Sequence, residues 1–154
     1  MRLVPLQWAS LVVIALDAIV IVSGFVAGSP LLPRSANVVL TVISLALMMG
    51  AAVLTGGGYN FENPTLPLWA TVAAVIALCG GGFLFGYPLL TDTPVGSFEQ
   101  ENGKYRESKD GVVVRELTED QYDEVMAANQ RAWAGLAASF AGGTFLYAGV
   151  RHRN

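Results

Sequence analysis

The chain has 154 residues, of which 53% are hydrophobic and 14% charged, with a mean hydropathy of +0.50. A soluble domain carries about 25% charged residues, so this balance excludes an ordinary water-soluble fold and defines a membrane protein. The formal net charge of −3 conceals a strong asymmetry, because 10 of the 12 acidic residues lie between Asp92 and Glu124. Such a segment repels a phosphate backbone, which argues against nucleic acid as a partner.

Four stretches have the roughly 20 apolar residues that a helix needs to cross a bilayer. They cover residues 5–28, 36–55, 66–90 and 132–150. Ser29-Pro30 and Pro33-Arg34 separate the first two, and Gly56-Gly57-Gly58 with Asn63-Pro64 separates the next pair. Pro88 and Pro94 close the third. Trp8, Trp69 and Trp133 each stand near the start of a span, where an indole puts its ring in the apolar layer and its N–H among the headgroups. The first stretch is too long for a cleaved leader and reads as a retained helix.

Between the third and fourth spans lies an acidic insert, residues 91–131. Asn102-Gly103 and Asp110-Gly111 are turn dipeptides, and residues 104–108 and 112–115 read as the strands of a hairpin within 98–115. Thr118 followed by Gln121 forms a capping box, with Glu119 and Asp120 at the positive end of the helix dipole. A helix therefore starts at residue 118 and runs with little or no break into the fourth span. The expected fold is all-α and integral to the membrane, a four-transmembrane-helix bundle with a small β-hairpin-plus-helix insert between helices 3 and 4. It divides into residues 1–90, 91–131 and 132–154.

The pattern Asn102-Gly103-Lys104-Tyr105, Asp110-Gly111, Leu117-Thr118-Glu119-Asp120-Gln121-Tyr122 and Arg131 resembles small uncharacterised prokaryotic four-span membrane proteins. In these a charged hairpin and a Leu-Thr-Glu-x-x-Tyr helix start precede the last span. The resemblance implies the architecture and a prokaryotic source; it implies no activity.

With four spans, both termini share one side and the insert lies on the other. Arg2, Arg151 and Arg153 flank the terminal side, whereas Arg34, Lys104, Arg106, Lys109, Arg115 and Arg131 lie on the insert side, most of them diluted among acids. The terminal arginines sit in short tails against the membrane, so we read a multi-pass protein of the cell membrane with both termini cytoplasmic and the insert outside.

Asp17 is the one ionisable residue inside a span, where a carboxylate costs about 2.5–3.5 kcal/mol on the lenient insertion scale. Gln7, Ser10, Asp17, Gly24 and Gly28 fall near one helical face and should point into the bundle. No span carries a Lys, Arg or His to pair with Asp17, so partners in this chain are neutral: Thr41 or Ser44, Thr71 or Cys79, Ser139 or Thr144. Three readings stand open: a protonated group that glues helices, a pair with a basic residue of another subunit, and a proton or cation site. Small residues recur every four positions at Gly24/Gly28, at Ala73, Ala77 and Gly81, and at Gly135, Ser139 and Gly143, the spacing that lets helix backbones approach.

Nothing supports catalysis. The glycine runs 56–58 and 80–82 lack the Lys-Ser/Thr of a phosphate loop, and His152 is alone in a charged tail, neither a metal ligand set nor a base for a serine. Asp123-Glu124 and Glu119-Asp120 read as a solvated helix face. The expected role is a non-enzymatic accessory or structural subunit without cofactor or metal. It would pack in the lipid bilayer against other membrane subunits or itself through small-residue faces, and dock through Tyr105, Arg106, Tyr122 and Arg131 of the insert. The alternative is a small proton- or cation-coupled transporter or channel component using Asp17, with Gln7, Ser10 and Ser44 around it.

Overall fold

A computed structural model describes residues 5–54, 67–90, 97–101, 104–109 and 112–148. The glycine run 56–58, both expected hairpin turns, the terminal arginines and His152 lie outside the described residues. The elements are α1 (Pro5–Val26), α2 (Arg34–Leu54), α3 (Leu68–Leu90), β1 (Ser97–Glu101), β2 (Lys104–Lys109), β3 (Val112–Leu117) and α4 (Glu119–Ala148).

Among the described residues three helices, α1, α2 and α3, are long and apolar enough to cross a membrane. Most of their large apolar side chains face outward, as a lipid solvent requires. Trp8 and Trp69 are exposed toward one end of the bundle, and Phe25 and Tyr87 toward the other. The seventeen helical steps from Trp8 to Phe25 span about 26 Å of helix, close to the hydrocarbon thickness. Trp133 behaves differently from the expectation: it packs edge-on against Phe85, with ring centroids 6.2 Å apart, inside the α3–α4 contact.

α4 occupies the centre. α1, α2 and α3 each pack along it and scarcely touch one another. Late α1 meets early α4 at Gly24 and Arg131, while early α1 and α3 meet late α4 around Phe145, so both run antiparallel to it. Thr41 reaches the Trp133 carbonyl and Met48 lies beside Gly143, so α2 runs parallel. A helix enclosed by three others meets backbone and small side chains rather than lipid. The buried side of α4 is accordingly mostly Ala and Gly, at Ala127, Ala134, Gly135, Ala137, Ala138, Ala141, Gly142 and Gly143, with Gln130, Thr144 and Phe145 as the larger exceptions. Among the described residues α4 does not reach the apolar length and hydropathy of the other three, so three spans rather than the expected four are apparent.

The helix ends follow local chemistry. α1 stops where Gly28 adopts a left-handed φ of 65°, open to glycine without strain. Pro33 and Pro67 start α2 and α3, each carbonyl accepting the first helical N–H bonds. Pro88 does not end α3 but lies in its last turn. At α4 the Gln121 N–H donates to Thr118 Oγ1 at 3.3 Å and the Thr118 N–H to Gln121 Oε1 at 3.1 Å, the reciprocal capping box. α4 then continues unbroken for 30 residues.

The insert is a three-stranded antiparallel sheet, β1-β2-β3, rather than a two-stranded hairpin. Tyr105 pairs with Leu117, and an irregularity between Glu107 and Ser108 leaves Val114 without a partner on β2. Phe98 and Leu117 are buried. The rings of Tyr105 and Tyr122, 4.7 Å apart, join the sheet to the first turn of α4. The half-exposed Arg115 donates through Nε to the buried Glu107 carboxylate at 2.6 Å, and Lys104 bridges Glu116 at 3.2 Å in the open.

Candidate functional site

The polar stripe of α1 faces inward. Gln7, Ser10, Asp17 and Gly24 are all buried, with Val13 and Val20 between them. Asp17 is 0% exposed, and neither carboxylate oxygen has a hydrogen-bond partner among the described residues. The neutral groups expected to meet it are directed elsewhere. Ser10, Ser44 and Thr144 each donate to the carbonyl four residues back, at 2.8–2.9 Å. Thr41 divides its hydroxyl between the Asn37 and Trp133 carbonyls, Thr71 donates to Pro67, and Ser139 donates across to the Leu78 carbonyl at 2.9 Å. Cys79 is exposed on the outer surface of the bundle. Complete burial also leaves no opening through which another subunit's cation could reach the carboxylate.

Ser44 stands at nearly the depth of Asp17. Counting from the Gly24–Arg131 and Thr41–Trp133 contacts at 1.5 Å per residue places Asp17 about 10 Å and Ser44 about 8 Å inward along the bundle axis.

The small-residue faces behave in three ways. Gly81 and Gly135 lie directly against each other: a Cβ at Gly81 would stand 2.2 Å from the Gly135 carbonyl oxygen, and one at Gly135 would stand 2.8 Å from the Gly81 oxygen. Ser139 lies one turn further along this seam, and Ala77 is buried in it. The glycine that continues the close contact is Gly142, 2.5 Å (by its missing Cβ) from the Ala74 carbonyl, while Gly143 faces Met48 of α2 and Ala73 lies at the rim. Gly24 makes room for the Arg131 stem, whereas Gly28 packs against nothing and serves only the turn.

Arg131 lies in the α1–α4 contact rather than on the sheet of the insert. Its guanidinium donates to the Gly24 carbonyl at 2.5 Å and lies 4.6 Å from the Phe25 ring centroid, so it caps the negative end of the α1 dipole from another helix. Its neighbour Gln130 accepts the Leu31 N–H at 2.7 Å and holds the α1–α2 turn. Tyr105 and Tyr122 occupy each other, and half-burial followed by the Glu119 and Asp123 carboxylates pushes the Tyr105 phenol above its ordinary value. Arg106, the fourth expected docking residue, lies on β2 opposite Glu99 of β1 and Glu116 of β3. The open apolar surface of the insert is instead Val112, Val113 and Val114, 49–67% exposed. Three valines inside a charged loop were a visible signal of it.

Between α1 and α3 runs an apolar groove of about 570 Å³, lined by Ile14, Ala18 and Ile21 on one side and by Ala73, Ile76 and Gly80 on the other. Ala138 of α4 forms part of its lining. No known protein family, curated protein or solved structure matches the chain.

Proposed function

We propose that the chain is a non-enzymatic accessory subunit of a larger assembly in the cell membrane, a bundle in which the second half of α4 also spans the bilayer inside its three apolar neighbours. The observation that carries this reading is the α1–α3 groove. Two spanning helices that share α4 but hardly touch each other leave a channel-shaped, wholly apolar face with small residues at Ala18, Ala73 and Gly80. Small residues at a helix face let another helix approach closely, and packing of this kind drives association in lipid. The acidic insert supports the same role. α4 carries it about 18 Å beyond the end of α1, counting the twelve residues from Glu119 to Arg131, and its exposed valines offer a second contact.

Both termini would then lie in the cytoplasm and the insert outside. On this reading the chain is one of the small prokaryotic four-span proteins whose hairpin and helix-start pattern its sequence resembles. Extraction from native membranes in mild detergent, with mass spectrometry of stoichiometric companions, tests the reading. A larger membrane protein should accompany the chain; emergence alone or as a homo-oligomer contradicts it.

A further inference from the structure

α1 carries a single carboxyl on a face that α4 covers, and the bundle closes over it completely. The other charged or titratable groups on the elements around Asp17 are remote or committed. On α4, Arg131 lies about 10 Å along the axis and is spent on Gly24 and Phe25, while Tyr147 stands near the opposite end. α2 offers Arg34 at its first residue; α3 offers Cys79, exposed outward, and Tyr87 in its last turns. α1 has no second ionisable side chain.

An ionised carboxylate with neither counter-charge nor donors is strongly disfavoured in such an interior. The neutral acid asks only for one acceptor. The carbonyl four residues back supplies one on a helix, as it already does for Ser10 and Ser44. A carboxyl held only for packing is replaceable by an apolar side chain without this demand, so its placement points to the proton itself as ligand. Exchange requires the α1–α4 contact to open, because α1 packs almost entirely on α4 while its α3 flank borders the groove.

We propose that Asp17 is a proton-binding site enclosed in the α1–α4 contact, which takes up and releases its proton when α1 parts from α4 at the depth of the carboxyl. The contact is closed in the proton-loaded form, and the same movement exposes the carboxyl. This goes beyond an accessory role and would make the subunit a proton-responsive one.

The test uses the full chain in lipid nanodiscs. Infrared difference spectra between wild type and Asp17→Asn should show one acid carbonyl-stretch band at neutral pH, lost completely in the variant. In wild type that band should shift slowly in deuterated buffer, and a hydrophobic carbodiimide should modify Asp17, located by peptide mass spectrometry on the unmutated protein. If the variant loses a carboxylate-stretch band instead, the site is ionised and the proposal fails. An acid band that neither exchanges nor reacts also overturns it, because the proton is then a permanent structural part. The carbodiimide arm needs no substitution, so a misfolded Asp17→Asn chain does not spare the proposal.

Discussion

Gly81→Ala is the sharpest perturbation of the fold. The added methyl would stand 2.2 Å from the Gly135 carbonyl oxygen and 3.0 Å from the Ser139 nitrogen. Both obstacles are backbone of a central helix and cannot rotate aside, so α3 must move off α4. Overpacking of this kind costs about 1–3 kcal/mol. The displacement also stretches the 2.9 Å bond from Ser139 Oγ to the Leu78 carbonyl, adding about 0.6 kcal/mol, a typical interhelical hydrogen bond in a membrane. The expected loss is therefore about 2–4 kcal/mol. The neighbouring glycine is the control: nothing lies within 4 Å of a Cβ at Gly80, so Gly80→Ala should be neutral or slightly stabilising through helix propensity. Both variants are compared by equilibrium unfolding in a mixed detergent followed by circular dichroism. Equal stability of the two would refute the close α3–α4 seam.

Arg131→Gln removes the charge that caps α1 and lies on Phe25, and should cost about 1–2 kcal/mol in the same unfolding assay. Thr118→Ala breaks the capping box; a loss of about 1 kcal/mol should appear as faster hydrogen exchange in the first turn of α4. Arg115→Ala leaves the buried Glu107 without its partner, whereas Lys104→Ala breaks an exposed pair, so the sheet should weaken clearly in the first and hardly in the second. The Tyr105 phenol should ionise later than the other tyrosines in an alkaline absorbance titration, and Glu119→Gln should bring it down. Because the folded cap holds this proton longer than the unfolded chain, its contribution to stability is full below the ordinary tyrosine value and falls as pH rises through it.

Lipid-facing helices were legible because a bilayer demands uninterrupted apolar length, and the inward stripe of Gln7, Ser10, Asp17 and Gly24 followed from helical spacing alone. α4 was less legible for the same reason in reverse. A helix wrapped by three others needs small residues on most sides, which lowers its hydropathy below that of its neighbours. The role of Arg131 was hidden because the carbonyl that it caps lies 107 residues away. β1 was missed because Ser97–Glu101 holds one apolar residue, Phe98, and no alternation. Gly28 and Gly24 share a spacing that suggested packing, yet only Gly24 faces a helix, since Gly28 follows the end of α1.

The central functional claim is that the α1–α3 groove receives a helix of another membrane protein. A photoreactive amino acid at Ile76, which lines that groove, and another at Val42, exposed on α2, would be irradiated in native membranes and the adducts identified by mass spectrometry. The account predicts one membrane polypeptide, other than this chain, joined to position 76 and absent from position 42. Adducts at position 76 limited to lipid or to a second copy of the chain would contradict it.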